Sequence, residues 1–219
     1  MRTTYPFPCL LLSGMPGTGK DTLSQGLLER DQTFAFFKKH RAGAATQSRA
    51  EDDSYVNVSP ETFQSLARCD GFLQYHHRYG RMYGVSREIY INLVHAGKIP
   101  LLHVGKYENL QVLRKGGGLQ DGLSVLLWAD RAIVQARLQE RHKSRTDSVE
   151  ERMLAYDEEV AQLKKYLAQG TGLLDFDLLF INNGSDPDIA ADQLLSLLQA
   201  HEMPSKKGVH EQILHLLSF

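Results

Sequence analysis

The sequence predicts an α/β protein, a parallel sheet of about five strands covered by helices on both faces. Three observations predict it. Short apolar runs alternate with stretches of helical period along most of the chain. The runs are apolar throughout rather than alternating, so each needs cover on both of its faces. The first run, Phe7 to Gly14, passes directly into a glycine-rich loop and then a helix-forming stretch, which is how an α/β unit opens.

Each element follows from its own residues. "FPCLLLSG" (Phe7 to Gly14) reads as a buried strand, and "KDTLSQGLLER" as a helix with Leu23, Leu27 and Leu28 on one face. "TFAFFKKHR" (Thr33 to Arg41) is a second apolar run ending in a basic cluster. "AGAATQSRAEDDS" is polar loop, and "YVNVS" alternates like a half-exposed strand. "SPETFQSLAR" carries serine, proline and glutamate in helix-starting order, which makes Ser59 an N-cap. "DGFLQYHHRYGRMYGVSREI" gathers aromatics, glycines and basic groups between two helices. The second of these, "VSREIYINLVHAG", is stopped by Gly97.

"KIPLLHVG" and "LSVLLWAD" are two further buried strands, and "RKGGGLQDG" between them is a loop. "DRAIVQARLQERHKSR" is a helix with a basic end. "VEERMLAYDEEVAQLKKYLAQG" is a long amphipathic helix closed by glycine. "FDLLFINNG" is the last core strand and "DPDIAADQLLSLLQAHE" a helix on the edge of the core. "MPSKKG" reads as a linker, and "VHEQILHLLSF" as a terminal helix whose apolar face needs cover, from the core or from another subunit.

Composition narrows the function. A chain of 219 residues makes one large domain or two small ones. It has 25 basic against 26 acidic residues, which argues against a general nucleic-acid or polybasic membrane binder, so any attraction for anions is local. Two cysteines make neither a disulfide framework nor a metal motif. No apolar run approaches the ~20 residues of a membrane span, and the N-terminal apolar stretch has no small-residue cleavage site. The expected location is the cytoplasm. Oligomeric state is not set by any of these features.

"GMPGTGK" (Gly14 to Lys20) has four residues between its first glycine and Gly-Lys, the spacing of a phosphate loop. Glycines let several backbone N–H groups point at one anion. The following helix adds its N-terminal partial charge, and Lys20 adds a mobile full charge for the β- and γ-phosphates. Gly14, Gly17, Thr18, Gly19, Lys20, Asp21 and Thr22 are therefore the candidate ATP-binding residues. Asp21 departs from the usual serine or threonine after the lysine. It has two readings, a Mg²⁺ ligand together with Thr22, or an acid that stabilises the helix start. Arg137 and Arg141 share a helical face, and Arg145 and Arg152 follow. After a phosphate loop, such a basic stretch reads as a closing lid over the γ-phosphate.

With these residues in view, the chain resembles the guanylate kinases over most of residues 7–200. Tyr55, Phe63, "FL" at Phe72-Leu73, Gly80, "YG" at Tyr83-Gly84, "SRE" at Ser86 to Glu88 and Gly97 match that family's spacings. "ARL" at Arg137, "ER" at Arg141 and "ERM" at Arg152 are similar to its lid arginines, and "FDLLFIN", ending at Asn182, is similar to its last core strand, which ends in an asparagine near the adenine. The resemblance implies a P-loop three-layer fold in residues 1–206, with an acceptor-binding part at about 38–90, a lid at about 138–155, and a C-terminal helix at 207–219. It implies an ATP- and Mg²⁺-dependent kinase with Lys20, Arg137, Arg141 and Arg152 as catalytic residues. The implied partner is a small phosphorylated molecule, a nucleoside monophosphate or a sugar phosphate, with Arg41, Arg49, Tyr55, Gln74, Tyr83, Ser86 and His103 as the candidate acceptor residues; the competing reading is a nucleotide-binding module without kinase activity.

The departures bear on the acceptor. Where guanylate kinases read guanine with a glutamate after "FL" and a hydroxyl after "YG", this chain has Gln74 and Val85. His103 and Gly105 stand where that family has two carboxylates. His103, at a strand's C-terminal end, either serves the acceptor or is structural; His76 and His77 either flank the acceptor or lie on the surface. The ribose 1,5-bisphosphate phosphokinases of phosphonate breakdown are similar in "GKD", the aliphatic residue after "YG", "HAG" and the missing carboxylates. They differ in an asparagine-serine-arginine stretch, where this chain has His103-Val104-Gly105-Lys106.

Overall fold

The computed structural model describes residues 5–43, 55–78, 80–142, 148–168, 175–200 and 203–218. The chain begins with β1 (Leu10–Gly14), α1 (Lys20–Arg30), β2 (Phe34–Phe36) and β3 (Lys39–Gly43). Then come β4 (Tyr55–Asn57), α2 (Pro60–Arg68), β5 (Phe72–Arg78), β6 (Arg81–Ser86) and α3 (Arg87–His95). β7 (Ile99–Val104), α4 (Tyr107–Lys115), β8 (Leu123–Trp128), α5 (Arg131–His142) and α6 (Val149–Ala168) follow. β9 (Leu178–Ile181), α7 (Pro187–Gln199) and α8 (Lys206–Leu217) complete the fold.

The core is a five-stranded parallel sheet of order β2-β7-β1-β8-β9. β1 lies at its centre, and Leu10, Leu11 and Leu12 are fully buried. Because side chains alternate across a strand, Leu10 and Leu12 pack with Leu23 and Leu27 of α1 and Leu194 and Leu198 of α7. Leu11 packs on the other face, in the cluster that holds Leu110 and Leu113 of α4, Met153 and Tyr156 of α6, and Ile213 of α8. The result is three layers, as the continuous apolar runs require.

A second sheet, of order β4-β3-β6-β5, stands beyond the core. β3 pairs parallel to β4, and the β3–β6 and β5–β6 pairs are antiparallel. Its small core is Ala42, Phe63 and Phe72. Gly84 belongs to this packing, since a Cβ there would lie 2.5 Å from the Phe72 ring.

Several sequence expectations change here. "TFAFFKKHR" is not one strand. Phe37 still donates its N–H to Leu101 (2.9 Å), and then the chain leaves the core sheet and enters the second at Lys39. The aromatic and basic stretch before α3, given no element from sequence, is the β5–β6 hairpin. Val85 ends inside β6, buried in the main core, so α3 starts after Ser86 rather than at Val85. Residues 107–113, unassigned from sequence, form α4, which runs on through Arg114 and Lys115 of the expected loop. α8 begins inside the expected linker, because Ser205 caps it by accepting from the Gly208 N–H at 3.1 Å.

α8 is tied to the core by burial of Val209, Ile213 and Leu217, and by Asp177 at the entry to β9. That carboxylate accepts from Arg114 at 2.6 Å and from the Ser124 hydroxyl at 2.8 Å, and lies 3.3 Å from the Lys206 ammonium. Among the described residues, no helix is long and apolar enough to cross a membrane.

Candidate active site

The carboxyl ends of β1 and β7 open on one side of the sheet, where an open α/β sheet places its ligand. The loop from Gly14 to Gly19 joins β1 to α1 there. Gly17 and Gly19 have φ of 80° and 98°, and Cβ atoms would meet Val134 at 2.7 Å and Asn182 at 2.5 Å. Both conformation and space therefore demand glycine. The Thr18 hydroxyl is consumed inside the loop, donating to the Met15 carbonyl at 2.9 Å. The Lys20 ammonium donates to the carbonyls of Gly14 (2.5 Å) and Met15 (3.0 Å), and burial lowers its pKa.

A cavity of about 290 Å³ runs from this loop to the second sheet. Of the residues expected to bind, it brings together Gly14, Gly17, Gly19, Lys20 and Asp21 with Tyr55, Tyr83, His103 and Arg152. The Tyr55 and Tyr83 rings lie 5.6 Å apart, and His76 stacks on Tyr83 at 5.6 Å. His103, at the end of β7, has Nε2 2.6 Å from the Ser24 hydroxyl and Nδ1 3.5 Å from an Asp21 carboxylate oxygen. Burial, with the nearby Lys20 and Lys39 charges, pushes its pKa down to about 4 against the opposing pull of Asp21. The imidazole is therefore neutral at physiological pH.

Other expected residues sit elsewhere, for identifiable reasons. Gln74 is buried and outside the cavity lining, and its amide nitrogen is used within the fold, donating to Asn109 of α4 at 3.1 Å and lying 3.1 Å from His76 Nδ1. Ser86 caps α3, accepting from the Ile89 N–H at 3.3 Å. Arg41 lies over the Tyr55 ring at 4.5 Å and donates to Asn57, so it does not line the cavity. Thr22 is exposed and outside the cavity lining, whereas Asp21 lines it. Arg137 donates to the Gly184 carbonyl at 2.7 Å, and Asn182 to the Thr18 carbonyl at 2.8 Å. Asn182 thus braces the far side of the loop, and Arg137 ties α5 to the segment that follows β9. Arg49, Arg145 and the side chain of Arg141 lie outside the described residues.

Three cavity residues were missed from sequence: Lys39, Arg78 and Glu159. Arg78 donates to Glu159 at 2.8 Å, and both side chains are largely buried. The signal for Glu159 lay in its spacing. It falls three residues after buried Tyr156 and four before buried Leu163, which places a carboxylate on the inward stripe of α6.

Among the described residues no group of three or more His, Cys, Asp or Glu side chains could cage a metal. Asp21 does fit a divalent cation shared with phosphates, because its carboxylate is 79% exposed and directly follows Lys20.

A glycine loop between a central parallel strand and its helix, with a lysine closing the loop and a cationic cavity beyond, defines a P-loop phosphotransferase. A family model for guanylate kinase matches residues 8–200, and the chain belongs to the guanylate kinase family. It is similar to a guanylate kinase from Polaromonas sp., 25% identical over 162 residues, 74% of this chain and 78% of that one. It is also similar to one from Aromatoleum aromaticum, 24% identical over 98% of both chains. The crystal structure of guanylate kinase from Anaplasma phagocytophilum has the same fold, with a TM-score of 0.62 at 18% identity over 95% of this chain and 94% of that one. The chain is an ATP-binding kinase.

Proposed function

We propose that this kinase transfers the γ-phosphoryl group of ATP·Mg²⁺ to a small phosphorylated acceptor, and that the acceptor is a sugar phosphate rather than GMP. The observation that carries the second half is the Gln74–Asn109 hydrogen bond. It holds inside the fold the side chain that would otherwise read a base, and Val85 is core. A guanine in this cavity would leave a buried donor unpaired, at a cost of roughly 1–3 kcal/mol.

The rest of the reading follows from the loop. Phosphates lie on the backbone N–H groups of residues 14–20, Asp21 takes the cation, and Lys20 and Arg152 offset charge on the moving group. Tyr55 and Tyr83 wall the acceptor. Positioning and electrostatics suffice for phosphoryl transfer, so no covalent enzyme intermediate is required.

The test is coupled ADP release with ATP·Mg²⁺ against GMP, other nucleoside monophosphates, ribose 1,5-bisphosphate and simple sugar phosphates, with Lys20→Ala as the blank. Turnover with sugar phosphates and not GMP is expected. Efficient turnover with GMP defeats the sugar-phosphate assignment. Silence across the panel with ATP still bound defeats phosphoryl transfer to these acceptors.

A further inference from the structure

We propose that His103 is a positioning residue for the kinase reaction: it holds the Asp21 carboxylate in place to receive the divalent cation, and Ser24 in turn fixes the imidazole. The cation's place on Asp21 rests on the function proposed above. The contact itself rests on geometry.

Two departures read from sequence, an acid directly after the loop lysine and an imidazole at the end of β7, meet in space. His103 lies beside Leu12 of β1 in the parallel register. Neighbours in register share a face of the sheet, and Leu12 packs with Leu23 and Leu27 of α1. His103 is thereby turned toward the start of α1. Asp21 and Ser24 stand one turn apart on that helix, so both face the same way. The ring spans them, with Nε2 2.6 Å from the Ser24 hydroxyl and Nδ1 3.5 Å from an Asp21 carboxylate oxygen. From β2, the Phe36 ring meets the imidazole nearly at right angles, with centroids 5.0 Å apart.

The three polar groups differ in freedom. Ser24 is 2% exposed and the His103 side chain 18%, whereas the Asp21 side chain is 79% exposed. A carboxylate left free at a surface loses side-chain freedom when it takes a cation. A fixed ring beside it removes part of that loss beforehand, as the partners behind a metal ligand do. The direction of the hydrogen bonding follows. A bare Nδ1 lone pair would face the carboxylate and be repelled, so Nδ1 carries hydrogen. Nε2 then accepts from the Ser24 hydroxyl, which is buried and needs a partner.

Two measurements test this. In the metal-free protein with isotope-labelled histidines, long-range proton–nitrogen spectra report which ring nitrogen of His103 carries hydrogen, and His103→Asn assigns the signal by its loss. A proton on Nδ1 is expected, and a bare Nδ1 overturns the proposal. The second measurement follows Mn²⁺ binding to the AMP-PNP complex by electron paramagnetic resonance in Asp21→Asn, His103→Ala and the double variant. His103→Ala should weaken Mn²⁺ binding about tenfold, with metal-free AMP-PNP affinity little changed. It should add nothing once Asp21 is replaced, because it acts through that residue. His103→Asn, whose amide N–H can stand where Nδ1–H does, should retain most of the affinity. No loss in His103→Ala, the same loss on top of Asp21→Asn, or a His103→Asn variant no better than His103→Ala overturns the positioning role alone. No loss in Asp21→Asn overturns the cation reading of the site and this role with it, so the two failures are distinct.

Discussion

Asn182 donates its side-chain amide to the backbone carbonyl of Thr18 at 2.8 Å, so the residue after the last core strand holds the phosphate loop in place. Its own N–H donates to the Trp128 carbonyl at 2.7 Å, which fixes it to the sheet. Asn182 is buried, and its amide nitrogen occupies the space a Gly19 side chain would need. Loop shape is therefore set from two sides, by glycine within and asparagine beneath.

Asn182→Ala should weaken nucleotide binding by roughly 0.5–1.5 kcal/mol, one net hydrogen bond. Gly19→Ala should weaken it more, because the added methyl meets the amide and φ is positive. Titration with a fluorescent ATP analogue measures both. Equal or negligible losses would mean that the loop keeps its shape without either device.

Asp21 and Thr22 are separable. Asp21 lines the cavity and Thr22 does not. Asp21→Asn should raise the Mg²⁺ concentration needed for half-maximal activity by tenfold or more, and Thr22→Val should leave it within twofold. Mn²⁺ bound to the AMP-PNP complex, followed by electron paramagnetic resonance, gives the same comparison without turnover.

His76 sets a pH dependence of stability. Its pKa in the fold is about 4, against an ordinary value of 6.5. Below pH 6.5 the unfolded chain gains a proton that the folded chain refuses until about pH 4. Stability must therefore fall as pH falls through that window. Urea midpoints at pH 7 and pH 5 should differ less in His76→Gln than in the unmodified protein. An unchanged difference would contradict the burial assigned to this imidazole.

Asp177 joins α4, β8 and α8 through Arg114, Ser124 and Lys206. Its pKa is lowered even though burial opposes that, because Ser124 and Arg114 donate to it. Asp177→Ala leaves the largely buried Arg114 guanidinium without its carboxylate, a loss of about 3–5 kcal/mol. Thermal or urea denaturation reads it, with a large drop expected and a drop below about 1 kcal/mol contradicting the network.

The core was legible from sequence because each parallel strand is an uninterrupted apolar run and the glycine loop has a fixed spacing. The second sheet was not. β5 mixes His76, His77 and Arg78 with aromatics, so its period-two apolar signal is broken, and two of the three, His76 and Arg78, line the cavity. β2 and β3 read as one run because Phe37 stays buried to the point where the chain changes sheet. In the site, loop residues and the tyrosine pair were legible because glycine spacing and family motifs mark them. Lys39 and Arg78 meet only through the approach of two distant strand ends, for which no local pattern exists. Ser86 and Gln74 looked like acceptor groups by position, but local hydrogen bonds to Ile89 and Asn109 use them first.

The most direct test of the whole account follows the label of γ-phosphoryl-labelled ATP in the presence of a sugar phosphate acceptor, with Lys20→Ala alongside. Label in the acceptor, ADP in equal amount and neither product from the variant is the predicted result. Label released as inorganic phosphate alone, or retained in bound ATP, would contradict phosphoryl transfer to an acceptor in this cavity.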